Sequence, residues 1–440
     1  MAIHIIGGGL AGVEAAWQLA RAGVPCVLSE MKPARFSPAH KSDGLAELVC
    51  SNSLKAERIA SAAGLLKEEM RRLGSLCVEV AARTRVPAGG ALAVDRERFS
   101  REITRMIENE PLIALRRGEE IREIPPEGIV IIAAGPLCSD ALSESIQNLC
   151  GQGLHFYDAA TPIITGESVD RNHAFAASRY ERGGEEDYLN CPMTREEYEA
   201  FEEALVKAER AHVHDFDDPP HKTSGFAAPV YEGCMPIEVL AARGKDAIRY
   251  GPMKPVGLRD PATGKRPWAV LQLRKENAGG NLLNLVGFQT NLKFHEQKRV
   301  FGMIPALRGA EFVRYGVMHR NTFIDSPRLL DASFRMRKTP RIFFAGQITG
   351  VEGYMESAGS GLLAGLHVAR ELRGLAPLML PRTTMLGALS QYISDPTCGP
   401  GKNFQPMGAS FGLLPPLDER VRDKRERYER LAERSLDFRF

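Results

Sequence analysis

The sequence predicts an α/β protein: a Rossmann-like dinucleotide-binding domain assembled from two separated stretches of chain, with an α+β domain inserted between them. Three observations predict it. Within the first thirty residues an apolar run, a glycine-rich turn, a helical pattern and a second apolar run follow one another and end on an acid. From about residue 185 the pattern gives way to short alternating runs and turns, which reads as α+β. Near residue 341 an apolar run, a glycine-rich loop and a small-residue helix bring the first pattern back. The expected division is 1–184, 185–325 and 326–440.

Ile3, His4, Ile5 and Ile6 read as a short buried strand. Gly7, Gly8, Gly9, Leu10, Ala11 and Gly12 follow at once, then a helix over 13–22, a strand over 25–28, and Glu30. This is G-x-G-x-x-G in the context that gives it meaning. Gly7 permits the tight turn. Gly9 lets backbone approach a pyrophosphate resting on the helix N-terminus. Gly12 lets helix and strand pack closely, and Glu30 is placed to accept hydrogen bonds from a ribose diol. The competing reading is a glycine-rich turn with no ligand; the acid at this spacing favours the dinucleotide. Two further segments favour FAD over NAD. IVIIAAGP, 129–136, reads as a buried strand ending in small residues, of the kind that lies under the cofactor in two-dinucleotide flavoproteins. RIFFAGQITGVEGYMESAGSGLLAG, 341–365, places Gly346, Gln347, Gly350, Glu352, Gly353 and Tyr354 in a loop that presents backbone N–H groups to a second part of the cofactor. The fold is then a discontinuous FAD-binding domain closed by C-terminal sequence.

Between these segments, helical patterns run over 56–73, 96–109 and 194–210. The last stretch, 418–440, alternates charges closely and reads as a solvated helix with i,i+4 ion pairs. HVHDFDD, 212–218, is rich in potential ligands but lacks metal spacing, so no metal is expected.

Bulk properties exclude several classes. The 440 residues are 44% hydrophobic and 25% charged, an ordinary globular composition. A net charge of +2 means that a polyanion would have to meet a local basic patch. The apolar N-terminus has no basic flank or cleavage site, and no run reaches the roughly twenty apolar residues of a membrane span. A soluble cytoplasmic protein is expected. The eight cysteines are scattered without a CxxC, which argues against a zinc ribbon and an adjacent redox pair. Most should be reduced and buried.

Two of them stand out. Cys50 lies in GLAELVCSNSLKAE, before polar residues and a helical pattern; a helix start lowers a thiol pKa. Cys234 lies in YEGCMPIE, with Gly233 before it and Glu232 and Glu238 near it. On the residues alone Cys50 reads equally as a structural or a functional thiol, and Cys234 reads more readily as a buried thiol than as a nucleophile.

GGGLAG, ELVCSNSLKA, LAVDRERFS, YEGCMPIE, GFQTNLKFHEQKRVF and FAGQITGVEGYMESAGSGLLAG occur in this order. The series resembles the folate- and FAD-dependent tRNA uracil-C5 methyltransferases, the TrmFO family, over nearly the whole chain. That family is related to larger wobble-uridine-modifying flavoproteins, whose extra C-terminal helical domain this sequence lacks. The resemblance implies FAD bound by Gly7–Gly12 and Glu30, with the 345–354 loop closing over the flavin side. It implies 5,10-methylenetetrahydrofolate as one-carbon donor, NADPH or NADH as reductant, and the T-arm of tRNA as substrate. It matches Cys234 to the cysteine that attacks uracil and Cys50 to the second functional cysteine, and leaves their division of labour open. Tyr354 and His40 are candidates for the pteridine face. The 295–299 run with Arg243, Lys245 and Arg249 are candidates for RNA phosphate contact. The LAVDRE segment has no assigned role, and no feature assigns an oligomeric state.

Overall fold

The computed structural model describes residues 2–151, 154–159, 161–181, 187–211, 235–277, 279–398 and 404–438. Five parallel strands form the first sheet, in the order Ile342–Phe344, Ile129–Ile132, Ile3–Ile6, Cys26–Glu30, Ile113–Arg117. The sheet is apolar on both faces, as a helix-covered parallel sheet requires. Ile3, Ile5, Ile129, Ile131 and Phe343 point into one core; Ile6, Val130, Ile132, Ile342 and Phe344 point into another. Because its strands come from both ends of the chain, the domain is discontinuous, as the two glycine-rich segments predict.

The helices behind those segments lock the halves together. Leu10–Arg21 packs on Tyr354–Leu372 nearly backbone to backbone. A Cβ at Gly361 would lie 2.0 Å from the Ala11 carbonyl oxygen, and one at Gly365 would lie 2.6 Å from that of Ala15. The small residues of SAGSGLLAG are what permit this approach.

A second, antiparallel sheet draws its strands from residues 163–314. Its order is Phe175–Ala176, Tyr188–Met193, Ala269–Lys275, Leu282–Leu285, Ile163–Thr165, Phe312–Arg314. Its core is built on Tyr198, Phe201, Phe288 and Phe301, all fully buried. Arg195–Lys207 covers it, started by a capping box between Thr194 and Glu197. Leu154–Ala159 and Met318–Phe323 pair antiparallel as a separate ribbon.

Two elements differ from the sequence reading. The helix expected over 56–73 begins only at Ala62, and residues Ser53–Ala56 form a strand paired with Ala91–Val94. The hydroxyls of Ser51 and Ser53 accept the backbone N–H groups of Ser53 and Lys55, a local alternative that competes with a helix. The helix proper starts at the Ser61 cap. The charged tail is helical only over Lys424–Leu436, from the point where Asp423 caps it. The LAVDRE segment finds its structural role here: Ala91–Val94 is the central strand of a small sheet, and Asp95 caps the helix Arg96–Glu108. Among the described residues no helix is long and apolar enough to cross a membrane, and no three His, Cys, Asp or Glu side chains group as metal ligands. The 212–218 run lies outside the described residues.

Candidate active site

The glycine motif sits where the first strand ends. Gly7 has φ +105°, and a Cβ there would lie 2.6 Å from the Ala133 carbonyl oxygen on the neighbouring strand's exit. A Cβ on Gly12 would lie 1.8 Å from the Gly7 carbonyl oxygen, so only glycine lets helix and turn meet. At Gly9, the N-cap of Leu10–Arg21, a Cβ would meet no atom within 4 Å. Glu30, at the end of the second strand, is buried and folds back onto the turn. It accepts the Gly8 N–H at 2.7 Å on one oxygen and the Lys32 N–H at 2.9 Å on the other.

These residues open onto a single cleft of about 1370 Å³, its mouth included. Gly7, Gly8, Gly9, Leu10, Ala11, Glu30, Gly346, Gln347, Tyr354, Cys50 and His40 all line it. With a glycine-floored helix N-terminus at one end, the cleft fits a dinucleotide pyrophosphate. Gly12, Gly350, Glu352 and Gly353 are not among the lining residues; they shape the walls. Glu352 accepts the Gln347 side-chain amide at 2.7 Å. Gly350, at φ +84°, passes under Phe404, and Gly353, at φ +119°, leads into the helix Tyr354–Leu372 beside the Lys55–Glu356 ion pair.

The cleft also holds residues the sequence reading passed over. Lys32 is buried beside Glu30 and donates to the carbonyls of Ser42, at 3.0 Å, and Gly44, at 2.6 Å. Glu47 pairs with it at 3.4 Å. Lys32 stands in none of the quoted motifs, and Glu47, which opens ELVCSNSLKA, gives no sign there of a partner at residue 32. His40 shares a 2.5 Å hydrogen bond with Ser37, and burial, with Lys32 close by, lowers its pKa. It therefore presents a neutral ring to the cleft at neutral pH.

Cys50 does not start a helix; it precedes the strand Ser53–Ala56. Its surroundings come from far along the chain. The Tyr354 hydroxyl oxygen accepts the N–H of Cys50 at 2.6 Å and of Ser51 at 3.1 Å. Burial raises the Tyr354 pKa, and Cys50 adds to the effect. Thr161 donates to the Cys50 carbonyl at 3.3 Å and is itself held by Asn284 at 2.6 Å. Arg274, buried in the second sheet, donates to Ser51 at 2.7 Å and Asn52 at 2.9 Å, and Arg314 donates to the Val49 carbonyl. The CSNS turn is thus clamped between the two sheets. Of the other described cysteines, burial pushes Cys26, Cys150 and Cys191 up to about 12 and Cys138 to about 11, and raises Cys77 too. Cys26, Cys77, Cys150 and Cys191 are buried thiols of the core, whereas Cys138 is half-buried and lines the cleft.

Residues 2–376 match the family model described as glucose inhibited division protein A. A methylenetetrahydrofolate--tRNA-(uracil-5-)-methyltransferase TrmFO from Geobacter sulfurreducens is 57% identical over 435 residues, spanning 99% of this chain and 97% of the relative. The chain belongs to the TrmFO family. A TrmFO from Heliobacterium modesticaldum is 58% identical over 439 residues, with 99% and 97% of the two chains covered. Among solved structures, GidA from Aquifex aeolicus superposes with a TM-score of 0.67 over 89% of this chain and 67% of its own, at 16% identity. That likeness shows the fold, a Rossmann-like α/β architecture.

Cys234, the other cysteine of the TrmFO-like motifs, lies outside the described residues; the described chain resumes on either side of its segment, at Ala211 and at residue 235. Both flanks are tied to the 289–293 loop of the GFQTNLKF motif. The Ala211 N–H donates to the Asn291 carbonyl at 2.7 Å, and the Ile237 N–H donates to that of Gln289 at 2.7 Å. Glu238, fully buried, accepts the Asn291 N–H at 2.8 Å and the Thr290 hydroxyl at 2.9 Å. Of the candidate phosphate contacts, Arg249 is already engaged: its guanidinium lies 3.8 Å over the Trp268 ring and its Nε donates to the Trp268 carbonyl. Lys245 pairs with Glu199 at 3.4 Å. Arg299 pairs with Glu296 at 2.6 Å, while His295 and Lys298 of the 295–299 run are exposed.

Proposed function

We propose that this protein methylates C5 of a uracil in tRNA, taking the one-carbon unit from methylenetetrahydrofolate. The observation that carries the reading is membership of the TrmFO family over essentially the full chain, together with a cleft that joins the glycine motif to Cys50 and Tyr354. Gly7 to Ala11, Glu30, Gly346 and Gln347 are the residues that hold FAD in this reading, and the helix N-terminus at Gly9 takes its pyrophosphate. Reduced FAD supplies the two electrons that bring a carbon at the formaldehyde level to a methyl group, and NADPH or NADH replenishes them.

C5 of uracil is a poor nucleophile. A Cys234 thiolate adding at C6 makes C5 enolate-like, so that it bonds to the donated carbon; loss of the C5 proton breaks that carbon's bond to its carrier, and addition of a hydride, which reduced flavin would supply, makes it a methyl group as the thiolate leaves C6 and the ring is restored. Cys50, held at its backbone by Tyr354 and Thr161, lines the cofactor cleft and acts on that side of the reaction. His40 and Tyr354 flank the space for the pteridine. The target is the T-loop uridine, which has to leave its stack to be reached, at a cost of a few kcal/mol. The division into two FAD-domain segments with an inserted domain, set at 185–325 from the sequence and reaching back to Ile163 by the strands of the second sheet, and a cytoplasmic location, belong to the same proposal.

The test is nucleoside mass spectrometry of an unmodified tRNA transcript incubated with the protein, methylenetetrahydrofolate and NADPH, without S-adenosylmethionine. Appearance of 5-methyluridine in the T-loop is expected. If NADPH is consumed and no methylated nucleoside forms, tRNA is not the substrate and ribosomal RNA or a small molecule takes its place.

A further inference from the structure

Phe294 opens the helix Phe294–Phe301 and is 55% exposed. A lone exposed phenylalanine needs no explanation. This one is backed by other rings. Tyr315 stacks against it with centroids 4.7 Å apart and planes 17° from parallel. Tyr315 stacks in turn on Phe312 at 5.1 Å and 3°, and Phe312 lies 6.5 Å from the fully buried Phe301. The series runs from the core of the second sheet out to solvent and fixes the plane of the outermost ring.

Its position connects the supports of both cysteines. Immediately before Phe294 is the 289–293 loop, to which Ala211, Ile237 and Glu238 are bound. Immediately before Tyr315 is Arg314, whose guanidinium donates to Val49, the residue next to Cys50. The charge around the ring is basic on balance. Lys293, Lys298 and Arg299 stand against Glu209 and Glu296, and Lys298 makes no ion pair among the described residues.

We propose that Phe294, supported by Tyr315 and Phe312, is a stacking platform for an unpaired base of the RNA substrate next to the uridine that is methylated. The inference rests on the RNA reading above. Loop bases displaced from their stack are gripped by aromatic faces because every base has a π-face, and the phosphates alongside favour cations. A base held on Phe294 offsets part of the cost of turning its neighbour out.

The experiment compares F294A, F294L and F294W in the full chain, measuring the Kd for an unmodified tRNA transcript at several salt concentrations. Flavin content equal to wild type shows that each variant is folded. F294A and F294L raise the Kd roughly 5- to 100-fold, the range expected for one lost base stack. F294W restores binding, and the salt slope stays the same because no phosphate contact is removed. Wild-type binding by F294L would overturn the proposal, since an apolar surface of any shape would then suffice; so would failure of F294W to restore it. If the wild-type protein binds no tRNA at all, the RNA reading falls with it.

Discussion

Gly9 is the residue on which the cofactor reading rests most narrowly. It lines the cleft, caps a helix N-terminus, and has open space where a side chain would be. Gly9→Leu therefore costs little folding energy but fills the place of the pyrophosphate. The expected outcome is a folded, colourless protein; a variant that keeps stoichiometric FAD contradicts the placement. The three motif glycines were legible in the sequence because much of their work is local: Gly12 meets the Gly7 carbonyl and Gly9 opens the helix that follows, and only the approach of Gly7 to Ala133 is not visible in the spacing. The contacts of Cys50 were not. Its amide reaches Tyr354, 304 positions away, and the next two residues reach Arg274 in the other sheet. Nothing in ELVCSNSL announces a partner at that distance, and the serines and asparagine that look like the start of a helix serve instead to receive those contacts.

At the scale of elements, the apolar pattern located four of the five strands of the first sheet to within a few residues; the edge strand Ile113–Arg117, with only Ile113 buried, was not among them. It failed where polar side chains redirect the backbone, at 53–61. It was also silent on how helices are joined, and Glu69 illustrates this. Buried in the helix Ala62–Arg72, it accepts the N–H groups of Met385 at 2.7 Å and Leu386 at 2.8 Å, which open the helix Met385–Ser394. It also accepts the Ser435 hydroxyl at 2.5 Å, from the C-terminal helix. Burial pushes its pKa up to about 7, from 4.5 in the open chain. A folded pKa above the unfolded one means that the folded state binds the extra proton. The Glu69 contribution to stability is thus fully present below about pH 4.5 and is lost as pH rises through about 7. Comparing thermal unfolding of wild type with Glu69→Gln across that range isolates it. The stability of wild type relative to the variant should fall by on the order of 2–4 kcal/mol as pH rises; a difference independent of pH contradicts the assignment.

At the scale of the whole molecule, the second sheet and the helix Tyr354–Leu372 meet around the Cys50 segment. Each sheet has its own apolar pattern in the sequence, whereas this meeting depends on buried polar residues that look unremarkable in one dimension: Arg274 and Asn284. Glu238 ties the flank of the Cys234 segment to the 289–293 loop. Glu238→Ala should keep flavin and still oxidise NADPH, while methyl transfer falls on the order of 10- to 100-fold, because small misplacement of a reacting group is costly. Equal methyl transfer in that variant would show that the tie does not matter. The central claim, uracil methylation through a cysteine adduct, is tested most directly by one paired measurement. Wild type and Cys234→Ala, matched for bound flavin, are each given unmodified tRNA, methylenetetrahydrofolate and NADPH, and 5-methyluridine is quantified by mass spectrometry. The account predicts the methylated nucleoside with wild type and none with the variant; equal yields from the two would remove Cys234 from the reaction.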